Sequence, residues 1–444
     1  MSEALNAPQS AEQDSAPAPA PAPALAFPSK GQVGVDPYSI PLAEIDVSDA
    51  ELFEHDEIWG YFERLRNEEP VHLSPETEFG RFWSVTKFED IVHVEKHPEI
   101  FSSALSITLF DPEPDFPLSP GFISMDGDRH NAHRAVAQPA AAPRNLAILE
   151  PLIRERVVEI LDGLPVGETF NWVERVSIEL TTAMLATLFD FPQEEKHKLT
   201  YWSDIATMSP VQLEQIGLTE ETQRAELFVC LETFTRMWKE REGTPLDGRR
   251  LDLVTAMANS EAMRDLEPLE YLGTLILLIV GGNDTTRNSI TGGVLALNEN
   301  PAEYQKLREN PKLIPGMTSE MIRWQTPLAY MRRTATCDTE LGGKSIEKGD
   351  KVAMWYVSAN RDETAIERAN EFIIDRKNPK HHLSFGWGVH FCMGSRLAEM
   401  QLRILWEEIQ ERFDKVEVVG DPIRVRSNFV KGFSELPTKV HPKR

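Results

Sequence analysis

The longest apolar run in the chain, YLGTLILLIV from Tyr271 to Val280, limits the choice of fold more than any other stretch. It is about half of what a bilayer span needs, so it reads as the start of a helix buried in a soluble core. The run leads straight into GGNDTTRNSITGG. Leu277, Val280, Gly281, Asp284 and Thr285 fall at i, i+3, i+4, i+7 and i+8, the spacing of one helix face. That face begins apolar, narrows at glycine and turns polar. A buried helix that carries Asp and Thr along its stripe without partners is costly. Either the helix emerges from the core after Gly282, or the polar pair has a task.

Helical periodicity dominates elsewhere. YFERLRNEEP and LEPLIRERVVEILDGL repeat apolar residues at helical spacing, and Phe170 to Met263 is nearly all helical pattern, with breaks at FPQEE, MSPVQ and EGTPLDGRR. GRFWSVTKFEDIVHVEKH predicts a strand followed by a helix. Strand character returns in RRTATCDTELGGKSIEKGDKVAMWYVSANRD, where Gly-Gly and Lys-Gly-Asp suggest hairpin turns, and in short strands around VEVVGD. The expected class is mostly α with small β-sheets, in one domain. Residues 1–35, with APAPAPAPALA near their centre, read as a disordered lead, because alternating Ala and Pro hold neither a helix nor a core; the domain is expected over 36–444.

Charge and cysteine usage exclude several functions. The chain has 46 basic and 71 acidic residues, a formal net charge of -25, which argues against nucleic acid or an anionic membrane surface as partner. Three cysteines without CxxC spacing fit a reducing cytosol, and no signal-peptide pattern opens the chain, so a cytoplasmic protein is expected.

One of those cysteines, Cys392, stands in FGWGVHFCMG, immediately before RLAEMQLRILWEEI, an amphipathic helix. Phe385, Gly386 and Gly388 precede it and Gly394 follows. Glycine at this density allows close approach of backbone to a ligand. A helix starting near Gly394 would aim its first amides at the sulfur and favour thiolate. Such a thiolate could be a nucleophile, a zinc ligand or an iron ligand. His381, His382 and His390 match no zinc spacing, and no activating base is singled out. A single axial thiolate to haem iron needs no further protein ligand.

FGWGVHFCMG resembles the haem-binding signature of the cytochrome P450 family of haem-thiolate monooxygenases. The resemblance implies the cytochrome P450 fold, haem b as cofactor, Cys392 as the axial ligand, Phe385 packed beside it, and His390 at a haem propionate. Other motifs follow in the family's order. TSEMIRWQTP carries Glu320 and Arg323, neighbours on one helix face, which alone would be read as a surface ion pair. In the family such a pair joins a later arginine, here Arg376 of FIIDRKNP, and locks the haem-binding core. GGNDTT resembles the oxygen-binding helix, in which Thr285 would hydrogen-bond bound oxygen and Asp284 would relay protons. Haem propionates would meet His130 and Arg134 of MDGDRHNAHR and Arg333 of MRRTA, with His133 the competing choice for His130. Gly127 and Asp128 stand where the family usually has prolines.

No part of the chain resembles a flavin, nicotinamide or iron–sulfur site, so electrons must arrive from other proteins. The resemblance implies a ferredoxin and an NAD(P)H-dependent ferredoxin reductase, with O2 as co-substrate. Docking an acidic ferredoxin would need a local basic patch, for which Arg134, Arg396 and Arg403 are candidates against the reading of scattered surface arginines. Leu277, Val280 and Gly281, with Leu328, Ala329 and Met331 of TPLAYMRR, would line an apolar substrate cavity. Longer segments, including GGNDTTRNSITGGVLALNENP and EMIRWQTPLAYMRRTA, look like the bacterial alkane hydroxylase subfamily, whose members oxidise terminal methyl groups of medium-chain alkanes and fatty acids. A terpenoid or steroid hydroxylase with a wider pocket and a haem sensor or carrier remain the alternatives.

Overall fold

The computed structural model describes residues 31–112, 121–244 and 251–443. The expected central helix runs from Pro268 to Glu299, 32 residues. Pro268 sits at its first turn, where a missing N–H costs nothing, and Pro301 follows its cap residue Asn300. Its apolar side chains are buried nearly all round: Leu272, Leu275, Ile279, Ile290, Val294 and Leu297 lie in the largest core cluster. Helices His197–Thr207, Glu179–Phe189, Glu220–Arg241 and Ile314–Gln325 pack around it, as does Ser395–Arg412. Close packing against Ile314–Gln325 depends on small residues. A Cβ at Gly292 would lie 2.3 Å from Gln325 Oε1, and one at Gly293 would lie 2.6 Å from Met321 Sδ.

The sheets are small and peripheral. One has five strands in the order Val71–Leu73, Trp83–Val85, Lys351–Met354, Met331–Ala335 and Phe101–Ser102. Trp83–Val85 pairs in parallel with Lys351–Met354, and the other pairings are antiparallel. The predicted strand–helix unit is there as Trp83–Val85 and Phe88–Lys96. The Gly-Gly hairpin joins Thr339–Leu341 to Lys344–Ile346, with Gly342 and Gly343 at φ +56° and +75°. VEVVGD lies at the end of strand Phe413–Val418, which pairs with Pro437–Pro442.

Three expectations shift. Residues 1–30 of the Ala/Pro-rich lead lie outside the described residues, but Gly31–Val35 are packed on the domain: Gln32 is buried, and Tyr61 Oη donates to the Gln32 carbonyl (2.7 Å) and the Val35 carbonyl (3.1 Å). The border drawn at Asp36 therefore moves back to at least Gly31. MSPVQ holds a helix start as well as a break, since Ser209 caps Pro210–Gln215 through a capping box with Gln212. EGTPLDGRR falls largely on residues 245–250, outside the described residues.

Candidate functional site

The loop from Phe385 to Gly394 folds around its own backbone. Cys392 N–H donates to the Phe385 carbonyl (2.8 Å), which closes the loop on the aromatic residue that opens it. Gly388 is required by geometry: its φ is +64°, and a Cβ there would lie 2.6 Å from the Glu95 carbonyl oxygen. Gly386 is likewise at φ +66°, beside Glu95 Oε1 and Tyr356 Oη. Gly394 is the cap of helix Ser395–Arg412, and any Cβ there would stand 3.9 Å from Cys392 Sγ. The amides of Gly394 and Ser395 do reach the sulfur, as the sequence predicts. Their pull, together with that of Arg134, is outweighed by burial, which pushes the thiol up. Haem iron, when bound, would take the proton's place on the sulfur.

Basic side chains gather beside this loop. The His130 and His390 rings lie 4.2 Å apart between centres, and Arg134 donates to the Phe391 carbonyl. Burial, then Arg333, His130 and Arg134, push the His390 imidazole down to about 2, so it is neutral; its Nε2 meets Ser103 Oγ at 3.0 Å. Burial and Arg134 push His130 down as well. Arg333 is buried and meets Glu95 Oε2 at 3.2 Å, and Tyr356 donates to the same carboxylate. His130 Nε2 is buried without a partner among the described residues. His133 is also buried, with Nδ1 unpartnered among the described residues, but the charges acting on it are Glu270 and Arg129 rather than those of this cluster. Orphaned imidazole, two arginines and a cysteine in one place fit haem, which brings two carboxylates and an iron that accepts thiolate. Ser103, Glu95 and Tyr356 were not legible in the sequence, because they reach the loop from segments with no local motif.

On the central helix the five spaced residues divide. Leu277, Val280 and Thr285 are half-buried and Gly281 is exposed, and a Cβ at Gly281 would meet no atom within 4 Å. This is an open face in the middle of an otherwise buried helix. Asp284 departs from the expected common face: it is 1% exposed and turned toward helix His197–Thr207. Its Oδ1 accepts from Ser203 Oγ (3.1 Å), Asn283 Nδ2 (3.1 Å) and Arg287 Nη2 (3.0 Å). Arg287 also binds Asp204 at 3.0 Å, and Asp204 is 33% exposed. Burial pushes the Asp284 carboxyl up to about 6 against the lowering effect of Arg287. Thr285 Oγ1 donates to the Gly281 carbonyl (2.9 Å). Asp284, Arg287 and Asp204 thus form a charged chain from the helix interior toward water. Arg287 was missed, although its i+3 spacing from Asp284 would have shown it.

Other sequence candidates sort plainly. Leu328 and Met331 are half-buried, whereas Ala329 is wholly buried in a core with Tyr330 and Trp355 and does not face a cavity. Glu320 is fully buried, holding Arg323 Nε at 2.7 Å and Arg376 Nε at 2.9 Å. Arg323 further donates to the carbonyls of Asn360, Ala369 and Glu371. The surface-pair reading of Glu320 and Arg323 is therefore overturned by their burial. Arg403 is engaged by Glu150 and Glu407 and gives no free charge to a docking patch; Arg396 is exposed. No described helix is long and apolar enough to cross a membrane.

The family model for cytochrome P450 matches residues 80–439. Linalool 8-monooxygenase of Pseudomonas putida is 34% identical over 90% of this chain and 99% of its own length. Methyl-branched lipid omega-hydroxylase of Mycobacterium tuberculosis is 30% identical over 91% and 96%. Among solved structures, CYP153D17 from Sphingomonas superposes with a TM-score of 0.84 at 44% identity, covering 90% of this chain and 99% of that one. Cytochrome P450-153 from Novosphingobium aromaticivorans gives 0.81 at 43%, covering 89% and 99%. Fold, site chemistry and these likenesses agree: the chain belongs to the cytochrome P450 family of haem-thiolate monooxygenases.

Proposed function

We propose that this monooxygenase hydroxylates the terminal carbon of medium-chain alkanes or fatty acids, with electrons from a ferredoxin and an NAD(P)H-dependent ferredoxin reductase. Cys392 would hold the haem iron, and His130, His390, Arg134 and Arg333 would hold the propionates. Bound haem supplies the redox chemistry that activates O2. The chain supplies position and protons. The observation that carries the reading is the open face of the central helix, apolar at Leu277 and Val280, then small at Gly281, then hydroxylic at Thr285, with a buried acid on the next residue back. An apolar chain lies along the first part. Thr285 Oγ1, now bonded to the Gly281 carbonyl, offers a hydroxyl, and Asp284 takes up and releases protons at its carboxyl, while the permanently charged Arg287 holds it beside the half-exposed Asp204.

A primary C–H bond is stronger than its secondary neighbour, so terminal attack has to come from positioning the chain end. Val280 and Leu328, both half-buried, would exclude subterminal carbons. The likeness to a lipid omega-hydroxylase and to the alkane hydroxylase subfamily supports this choice. A second reading, oxidation of a branched terpenoid, is favoured by the 34% identity to linalool 8-monooxygenase.

The test is product analysis with a surrogate ferredoxin and reductase, NADH, and octane, dodecanoic acid or linalool as substrate. Mostly 1-octanol or 12-hydroxydodecanoic acid supports the terminal reading. Mostly subterminal alcohols, or turnover of linalool alone, rejects it.

A further inference from the structure

A polar cavity of about 290 Å³ lies apart from the haem site and shares no residue with it. It is walled by Asp56 and Trp59 at the start of helix Ile58–Glu68, by Trp324 near the end of Ile314–Gln325, and by Arg361, Arg424 and Lys431. Arg361 is 7% exposed and Lys431 is 9% exposed. The Arg361 guanidinium carbon lies 3.4 Å from the Trp324 ring centre and 4.4 Å from that of Trp59, so two indole rings lie against it. Lys431 Nζ lies 5.4 Å from the Trp59 ring centre. Neither side chain makes an ion pair or hydrogen bond among the described residues. The contrast with Arg323 is direct, because that still more deeply buried arginine is saturated by Glu320 and three carbonyls.

The nearby carboxylates do not supply the missing partner. Asp56 is taken, one oxygen by Arg424 Nη2 (2.9 Å) and the other by Trp59 Nε1 (3.1 Å). Glu299 lies at the exposed rim. Three cations against two carboxylates leave one positive charge on the lining. Buried cations without partners are costly, and natural folds pair them. A guanidinium held against indole rings keeps its in-plane donors, the fork that matches an oxyanion. Burial pushes the Lys431 ammonium down to about 8, so it is still largely charged at neutral pH. One water occupies about 30 Å³ of liquid, so the cavity has room for a small anion with its remaining hydration but not for a nucleotide.

We propose that this cavity binds a small oxyanion, of the phosphate or short-carboxylate class, between Arg361 and Lys431. The anion ties the N-terminal helix, through Trp59, to Trp324 beside the buried Glu320–Arg323 pair and to the Lys431 segment. It is a stabilising site and takes no part in the oxidation.

The experiment uses the haem-loaded, full-length protein. Calorimetric titration and thermal unfolding are run with sodium phosphate, sodium acetate and, at matched ionic strength, sodium chloride. Wild type, Lys431→Met and Lys431→Arg are compared, each first shown to keep its haem spectrum. Saturable binding of phosphate or acetate with a raised unfolding temperature, weakened at least about tenfold in Lys431→Met and restored in Lys431→Arg, supports the site. Phosphate alone assigns a doubly charged oxyanion, and acetate alone assigns a carboxylate. Effects equal to those of chloride, unchanged in Lys431→Met, or absent altogether overturn it; in the last case Glu299→Gln should destabilise the fold, showing that the rim carboxylate is the counter-ion.

Discussion

At the scale of single residues, Asp284 bears the most chemistry. Its neighbours are a cation, a hydroxyl and an amide, yet burial still pushes its carboxyl up to about 6. The group binds its proton more tightly in the folded chain than at its ordinary value of 3.8. The stability it contributes is therefore fully present below that ordinary value and is lost as pH rises through about 6. Asp284→Asn removes the titration, so the difference in unfolding midpoint between wild type and variant should fall between about pH 4 and pH 6 and stay level above. A flat difference across that range would show that the residue is already ionised. The same variant should lower turnover by about 100-fold while haem content and substrate binding hold, as stopped-flow and equilibrium titration would show.

At the scale of elements, the Glu320–Arg323–Arg376 cluster fixes helix Ile314–Gln325 to the segment that leads into the cysteine loop. Removing one partner of a buried pair leaves the other charged and unpaired, a loss of about 3–5 kcal/mol. Glu320→Gln should lower the unfolding free energy by that amount, seen as a lower urea midpoint at unchanged slope, and shed haem on gel filtration; an unchanged midpoint would contradict the scaffold role. On the neighbouring strand entry, Leu328→Ala should raise the share of subterminal alcohol from octane, and an unchanged ratio would remove Leu328 from the selectivity argument.

These elements were largely legible in the sequence because each is set by contiguous residues. The central helix follows from its apolar run and its flanking prolines, and the cysteine loop from its glycines. What stayed hidden depends on contacts between distant segments. Asp284 leaves the helix stripe because Ser203 and Arg287 draw it toward the next helix. Ala329 is wholly buried because Tyr330 and Trp355 close a core around it. Periodicity reports which residues share a helix face, but not which neighbour that face meets.

At the scale of the whole molecule, the net charge of -25 opposes approach of an acidic ferredoxin. Exposed Arg396 and the nearby Arg134 act only at contact range. The screening length falls from about 30 Å at 0.01 M salt to about 10 Å at 0.1 M, so added salt first removes the long-range repulsion. The rate of reduction by ferredoxin should therefore rise across that interval and fall at higher salt. A steady decline from the lowest salt would mean that the local arginines dominate at all distances.

The parallel pairing of Trp83–Val85 with Lys351–Met354, sealed by Trp355 Nε1 donating to Ser84 Oγ across a sequence separation of 271, has a consequence for how the chain is made. At ribosomal speeds of about 5–20 residues per second, the early strand is synthesised roughly 14 to 54 s before its partner exists. For that interval the nascent chain carries an unmatched strand edge. Chaperone dependence during translation should accordingly track the delay between these two segments, and slowing synthesis between them should increase aggregation rather than relieve it.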